Sequence, residues 1–362
     1  MNSVLRAFCI VAVAAACKST PSTPPEGGAE EVEDESLPEQ GPIEEAAGLM
    51  ARGYADKALE VIDGALAKTP EDYELHYARG VALQGLGRGD EAVTSWRSCL
   101  DRKPGFFPAL NGIGAVELDA GHLDAAIEAL QGAIEAKPDF PDAHYNLGLA
   151  LRANGDQDGA LVALLRAKEL SPGDADIYEM LAAVHLRRGE LAEARAAVDS
   201  ARELRGDEPE VLRLDAKVLT AEGKHAEAAK VYEAVVAAAP EDAESRLQLA
   251  RALVRSGRAA DALPILARLA EELPEEAVVF SEWGGALIEA GTLDGPEGAL
   301  ARVDRAIELK PGLVSAKVRR IRALAGLKRC KEAVADHREA VASEPKAKAE
   351  ADEALGRCAK KG

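Results

Sequence analysis

Proline recurs along this chain with a spacing of 34 residues. Allowing one step of twice this length and one insertion of three residues, the periodic prolines are Pro70, Pro104, Pro138, Pro172, Pro240, Pro274, Pro311 and Pro345. A fixed period of this length is typical of repeat arrays, in which no unit buries its apolar face alone. The spacing therefore predicts a stack of similar units with one continuous core.

The same register contains three further columns of small residues. One slot holds alanine in nine copies: Ala58, Ala92, Ala126, Ala160, Ala194, Ala228, Ala262, Ala299 and Ala333. A second slot holds glycine in eight copies and Lys328 in the ninth: Gly53, Gly87, Gly121, Gly155, Gly189, Gly223, Gly257 and Gly291. A third slot is small in eight copies and Ile321 in the ninth: Ala46, Gly80, Gly114, Gly148, Ala182, Ala216, Ala250 and Gly284.

Each unit reads as two amphipathic helices, with apolar residues at i, i+3, i+4 and i+7. In the copy at 141–174, Gly155 can take the left-handed conformation that ends the first helix. Ala160 of the second helix is expected to meet Gly148 of the first, where a larger side chain would separate the backbones. Pro172 ends the second helix and turns the chain into the next unit.

Period, small slots and terminal proline together make the chain resemble the tetratricopeptide repeat. This resemblance implies an all-α fold, a right-handed α-solenoid of about nine helix pairs within 43–347, followed by a capping helix at 348–362. The copies lie at about 39–72, 73–106, 107–140, 141–174, 175–208, 209–242, 243–276, 277–313 and 314–347. In copy eight we expect a longer inter-helix loop, with Pro296 at a helix start. In copy nine, Lys328 and Ile321 should weaken the fit.

The N-terminus looks like a bacterial lipoprotein signal peptide. Arg6 precedes a short apolar run, 7–13, and three small residues lead to Cys17. We expect residues 1–16 to be removed and Cys17 to be lipidated, the alternative being an ordinary export signal. Residues 17–42 then form a disordered acidic, proline-rich tether. Lys18 after the cysteine favours the outer membrane, with the protein facing the periplasm.

Composition and motifs argue against several functions. A net charge of −19 argues against nucleic-acid binding, because contacts with phosphates need a basic face. The six histidines are scattered without ligand spacing, and we find no phosphate-binding loop, nucleotide fingerprint or hydrolase elbow. The sequence therefore predicts no catalytic residue, no metal site and no cofactor, and the protein is not expected to be an enzyme.

The cysteines outside the signal region leave one question open. Cys99 replaces alanine at its slot and is expected to be a buried thiol. Cys330 lies near the start of the last repeat's second helix and Cys358 near the end of the capping helix. They could form a disulfide in an exported protein, or they could be two unpaired thiols.

The resemblance further implies that the first helix of each repeat lines a concave groove that binds partner proteins. The corresponding slots are neutral in the first half of the array, at Tyr77, Asn111, Tyr145 and Asn146. They are basic in the second half, at Arg187, Arg213, Lys217, Arg251, Arg255, Arg319 and Arg322. Like charges at i,i+4 cost stability, which suggests an acidic peptide or segment as ligand. The alternative is that acids on adjacent helices, such as Glu244 and Glu282, neutralise these cations.

These observations predict a membrane-anchored scaffold or assembly factor of the bacterial cell envelope, whose partners are other proteins. The alternative is a regulator that docks onto an envelope enzyme, such as a peptidoglycan or polysaccharide synthase or a protease. The sequence leaves the partner, the pathway and the oligomeric state open.

Overall fold

The computed structural model describes residues 41–356 and 358, and this part of the chain contains nineteen α-helices, one short 3-10 helix and no β-strand. It divides into two compact units, one ending at Arg188 and the other beginning at Gly189. The predicted signal peptide (1–16), the lipidation site Cys17 and the tether up to residue 40 lie outside the described residues. The predicted end of the tether at residue 42 is wrong, because the first helix begins at Pro42.

The described part of the first unit holds nine helices. They are α1 (Pro42–Ala51), α2 (Ala55–Leu66), α3 (Tyr73–Gly85), α4 (Gly89–Arg102), α5 (Phe107–Asp119), α6 (Leu123–Ala136), α7 (Pro141–Ala153), α8 (Gln157–Leu170) and α9 (Ala175–Arg188).

The described part of the second unit holds ten helices. They are α10 (Leu191–Arg205), α11 (Pro209–Ala221), α12 (His225–Ala238), α13 (Ala243–Arg255), α14 (Ala259–Glu272), α15 (Ala277–Glu289), α16 (Ala299–Leu309), α17 (Val314–Gly326), α18 (Cys330–Ser343) and α19 (Lys348–Leu355). A 3-10 turn, Pro345–Ala347, precedes α19.

Within each unit, every helix packs against the next helix along the chain. The first helices of consecutive repeats also pack against each other, as α13 does against α15 and α15 against α17, and α19 packs on α17 in the same way. The predicted fold class, helix pairs in sequence followed by a final capping helix, is confirmed.

The small-residue slot lets the two helices of a repeat approach closely. A methyl group added at Gly148 would lie 2.6 Å from Cγ of Leu164 and 3.4 Å from the carbonyl oxygen of Ala160. The predicted close approach is confirmed, although Leu164, rather than Ala160, is the side chain that needs the space.

The glycine slot is a left-handed turn in every repeat. The φ angle is 89° at Gly155 and positive at each glycine of that column. In repeat nine, Lys328 keeps the same conformation at φ 61°. Ile321 is fully buried in an apolar cluster with Leu324 and Leu355. Ile321 therefore fills space that α19 encloses, and the weaker fit of the two helices of repeat nine stays a prediction.

The longer inter-helix loop predicted for repeat eight is present between Glu289 and Ala299, but Pro296 does not lie at a helix start. Pro296 lies in a turn, and α16 begins three residues later, at Ala299. The backbone N–H groups of Ala299 and Leu300 donate to the carbonyl oxygens of Thr292 and Leu293, at 3.0 and 3.1 Å. These bonds fold the loop back on itself and delay the helix.

Candidate functional site

The predicted basic residues lie on first helices of repeats five to nine. Arg187 is exposed at the end of α9 in the first unit, and no ion pair joins it to another described residue. The other six belong to the second unit, in pairs on three helices: Arg213 and Lys217 on α11, Arg251 and Arg255 on α13, and Arg319 and Arg322 on α17.

Four of these arginines meet in one pocket between α13, α15 and α17. The pocket has a volume of about 350 Å³. Its lining consists of Arg251, Val254, Arg255, Glu282, Gly285, Ala286, Ile288, Glu289, Arg319 and Arg322. Four arginines against two glutamates leave this lining with a net charge of +2.

Glu282 forms ion pairs with two of the four arginines. Its carboxylate accepts from Arg251 Nε at 3.1 Å and from Arg319 Nη2 at 2.7 Å. Arg319 also donates through Nη1 to Ser281 Oγ at 2.5 Å. All three charged side chains are at least two-thirds buried. The alternative named above, an acid on an adjacent helix, is thus correct in naming Glu282 as the partner of Arg251 and Arg319, although its single charge offsets only one of the two.

The other two arginines differ in their ion pairs but are both accessible to a ligand. Arg255 is exposed, and no ion pair joins it to another residue in the described ranges. Arg322 lies 3.6 Å from Glu289 and 3.6 Å from Glu353, distances that are long for a hydrogen bond. Arg255 and Arg322 are therefore the pocket cations that a ligand can reach.

Gly285 leaves room for the pocket. A methyl group added there would lie 2.8 Å from Nε of Arg319. Gly285 occupies the same repeat position as Arg251, so a side chain here would fill the space between α13 and α17. The sequence interpretation missed Gly285 and Glu289. The signals that would have found them are the repeat position that Gly285 shares with Arg251 and the position that Glu289 shares with Arg255.

Arg213 and Lys217 behave differently from each other. Arg213 donates to Glu210 at 2.9 Å and to Asp242 at 3.4 Å. Side-chain and backbone hydrogen bonds from Ser245 lower the pKa of the Asp242 carboxyl, with Arg213 contributing. Lys217 is exposed without an ion pair among the described residues.

Glu244, the other acid named as a neutraliser, instead accepts a hydrogen bond from Gln248 Nε2 at 2.6 Å. Glu244 therefore does not neutralise a groove cation as the alternative supposed, because its carboxylate is hydrogen-bonded to an i,i+4 partner on its own helix.

The predicted neutral face is largely buried, which differs from the expectation. Tyr77, Asn111, Tyr145 and Asn146 are each less than a tenth exposed. Asn146 Nδ2 donates to Asn111 Oδ1 at 3.0 Å, which joins two repeats. A role for these four residues in binding stays a prediction that concerns only their small exposed edges.

An aromatic cluster explains the burial of Tyr77. Its ring meets Phe106 edge-on with centroids 5.3 Å apart, and burial raises the pKa of the Tyr77 hydroxyl. Tyr73 packs on the same Phe106 ring, and Phe107 packs on Phe140. The sequence interpretation missed this cluster, although three of the five phenylalanines lie between 106 and 140.

The remaining cysteines form one disulfide and one buried thiol. Cys330 and Cys358 are joined, with Cα atoms 5.1 Å apart, so the structure contains the first of the two alternatives. Cys99 is a free, buried thiol whose pKa is raised to about 11 by burial.

Over residues 41–356 and 358, no group of three or more His, Cys, Asp or Glu side chains is placed to hold a metal ion. Over the same ranges, no helix has both the length and the apolar character to cross a membrane.

Family comparisons agree with the repeat architecture. Residues 77–280, more than half of the chain, match the family model described as "Cilia and flagella-associated protein 70 C-terminal domain". Residues 44–105 match the model described as "Tetratricopeptide repeat". No curated protein is significantly similar to the chain in sequence.

Solved structures are similar in fold. The APC/C hetero-tetramer Cut9–Hcn1 is 16% identical in sequence to this chain, with a TM-score of 0.58. The match covers 78% of this chain and 55% of that chain, so this chain spans about half of the length of that chain. A tetratricopeptide repeat protein of Parabacteroides merdae is 14% identical with a TM-score of 0.54, and the match covers 68% of this chain and 97% of that protein. The pilF protein of Pseudomonas aeruginosa is 19% identical with a TM-score of 0.52, and the match covers 57% of this chain and 93% of that protein.

Proteins with this fold typically act as non-catalytic scaffolds that bind other proteins or peptides. Because one model spans more than half of the sequence and a second covers the first repeats, the chain belongs to the tetratricopeptide-repeat family described by the C-terminal domain of cilia and flagella-associated protein 70.

Proposed function

We propose that this chain is a membrane-anchored scaffold or assembly factor of the bacterial cell envelope, which recruits a partner protein through the pocket on α13, α15 and α17. The observation that carries the proposal is the net charge of +2 on the pocket lining, in a chain whose own net charge is −19. Such a site favours an acidic segment of a partner.

The four arginines of the pocket have two roles, two of them structural and two of them in ligand binding. Arg251 and Arg319 are held by Glu282 and keep the pocket in shape. Arg255 has no ion pair among the described residues, and Arg322 is 42% exposed with only long ion pairs at 3.6 Å. A guanidinium donates paired hydrogen bonds to a carboxylate. A partner segment with at least two carboxylates therefore fits this pair best.

The membrane anchor rests on the sequence of the first seventeen residues. Lipidation at Cys17 would give lasting attachment, because each buried methylene contributes about 0.8 kcal/mol and several acyl chains would be present. The test is metabolic labelling with a fatty acid in a bacterial host, comparing the wild type with Cys17→Ser. Labelling of the wild type alone is expected, and an unlabelled but exported wild type would mean an ordinary signal peptide.

The binding proposal is tested with a pocket variant, Arg255→Gln with Arg322→Gln. A matched control, Lys331→Gln with Arg338→Gln, removes the same charge from exposed residues of α18 that do not line the pocket. The probe is a fluorescent hexaglutamate peptide, measured by anisotropy at low and high salt.

We expect the pocket variant to bind the peptide at least tenfold more weakly, since each charged hydrogen bond contributes about 1.5–3 kcal/mol. Wild type and control should bind alike, and thermal melts should show that both variants are folded. Equal binding by all three proteins would contradict the pocket as the site. A pull-down from solubilised membranes with the same three proteins then identifies the natural partner.

A further inference from the structure

The densest acidic run of the chain lies in its N-terminal segment. Five of the six residues 30–35 are Glu or Asp, and neither Lys nor Arg occurs between Lys18 and Arg52. No basic neighbour in the sequence therefore offsets this charge.

We propose that residues 30–35 of a second copy of this chain bind in the pocket formed by Arg251, Arg255, Arg319 and Arg322. This assignment of a partner rests on the proposed function of the pocket. It makes the scaffold self-associating, through contacts between the N-terminal segment of one copy and the last repeats of another.

Charge complementarity is the first argument. The run carries five negative charges, whereas the pocket lining carries a net charge of +2 and includes Arg255, which has no ion pair among the described residues. Contacts between such surfaces are strengthened at low ionic strength and screened beyond about 8 Å at physiological salt.

Length is the second argument. Six extended residues span about 20 Å, at roughly 3.3 Å per residue. Helices that pack in contact have axes about 8–10 Å apart, so the steps from α13 to α15 and from α15 to α17 also sum to about 20 Å. In an extended peptide, alternate residues face the same side. Glu31, Glu33 and Glu35 would then all face the pocket.

The proposed membrane anchor favours a second copy as the partner. Lipidation at Cys17 would hold many copies on one membrane surface and so raise their effective concentration. Because the two contacting surfaces differ, the association is head-to-tail and can extend beyond a dimer.

The test uses two complementary variants of the mature chain, 17–362, each with Cys17→Ser so that lipid does not cause association. The run variant carries Glu30→Gln, Glu31→Gln, Glu33→Gln, Asp34→Asn and Glu35→Gln. The pocket variant carries Arg255→Gln and Arg322→Gln. The control variant carries Lys331→Gln and Arg338→Gln. Sedimentation velocity measures association of each protein, and of mixtures, at low and high salt.

We expect the wild type and the control to associate at low salt and to dissociate at high salt. Each of the two complementary variants alone should remain monomeric. Their mixture should form a heterodimer, because the pocket variant still supplies the acidic run and the run variant still supplies the pocket.

A mixture that stays monomeric would overturn the second-copy assignment, and the hexaglutamate peptide shows where the failure lies. If the run variant binds this peptide much more tightly than the wild type, the run occupies the pocket of its own chain. If the two bind it equally, the pocket takes an acidic segment of another protein. If neither binds it, the proposed function of the pocket fails as well.

Discussion

The indole ring of Trp96 fills the space that any side chain at Gly80 would need. A methyl group added at Gly80 would lie 2.3 Å from Nε1 of the ring. The same Nε1 donates to the carbonyl oxygen of Tyr77 at 3.2 Å, and the ring is fully buried. The two helices of repeat two are thus held together by a glycine, a large ring and one buried hydrogen bond.

Gly80→Ala is therefore expected to destabilise the protein by about 1–3 kcal/mol, because the buried ring cannot move without disturbing its packing. Ala has the higher helix propensity, so the loss comes from packing alone. The measurement is urea unfolding followed by circular dichroism. The control is Gly64→Ala in α2, where nothing lies within 4 Å of the added methyl group. It should gain about 0.5–1 kcal/mol, and a gain at both positions would contradict this account.

The repeat architecture could be predicted from the sequence because its signals are local and recur. Pro172, Gly155 and Gly148 each have a fixed role within one helix pair, and the structure gives Gly155 a positive φ and Gly148 a close neighbour. The identity of that neighbour, Leu164, depends on side-chain rotamers, which spacing does not determine.

The chemistry of the pocket was predictable only in part. The basic slots included two of the three pocket helices, α13 and α17, but not α15. Which acid pairs with each arginine depends on partners far along the chain. Arg251 pairs with Glu282, 31 residues away, whereas Arg255, one turn further along the same helix, has no such partner in the described part of the chain. The burial of Tyr77 depends on Phe106 of the next repeat, which a slot-by-slot comparison does not consider.

Lys328→Gly is expected to stabilise the protein by up to about 1 kcal/mol. A non-glycine residue in the left-handed region costs roughly 1–2 kcal/mol, and part of this gain is offset by the larger entropy of glycine in the unfolded chain. Lys328→Val should do the opposite, since a β-branched residue tolerates this conformation least. Thermal melts of both variants check the prediction. A Val variant as stable as the Gly variant would show that the left-handed backbone conformation at residue 328 does not cost stability.

Removal of the Cys330–Cys358 disulfide is expected to loosen the end of the array locally. The bond closes a loop with a sequence separation of 28, for which chain entropy predicts about 3–4 kcal/mol. Because repeats contact mainly their neighbours, the effect should stay near α19. Hydrogen exchange should become faster at Ala351 and Leu355 in the Cys330→Ser, Cys358→Ser variant and remain unchanged in the first unit. A thiol reductant should reproduce this in the wild type and do nothing further to the variant.

The ion pairs of Glu272 are expected to stabilise the folded protein at neutral pH, and this contribution is expected to be lost in acid. Its carboxylate accepts from Arg246, whose side chain is 8% exposed, and from Arg268, and these bonds lower its pKa from 4.5 to about 2. A carboxyl whose pKa is lower in the folded state contributes stability above its unfolded pKa. That contribution is lost as the pH falls from 4.5 towards 2.

The check is the melting temperature of Glu272→Gln and wild type as a function of pH. The wild type should be the more stable near neutral pH, and the difference should shrink below the unfolded pKa. Glu271→Gln, at an exposed neighbour with no ion pair among the described residues, should match the wild type throughout. A difference at Glu272 that does not change with pH would mean that packing, not charge, makes the contribution.

Glu282→Gln should separate the stability of the pocket from its affinity. The carboxylate holds Arg251 and Arg319, so its neutralisation leaves two largely buried guanidinium groups with weaker partners and should lower the melting temperature. The same change raises the net charge of the lining from +2 to +3, since one of two glutamates is lost against four arginines. Hexaglutamate should then bind about threefold to fivefold more tightly, as expected for one charge removed within several ångströms of the ligand in a hydrated site.

The exposed Glu271→Gln again serves as the control and should leave the melting temperature and the affinity for hexaglutamate unchanged. Weaker binding by Glu282→Gln would instead mean that the pocket needs its arginines fixed more than it needs their charge.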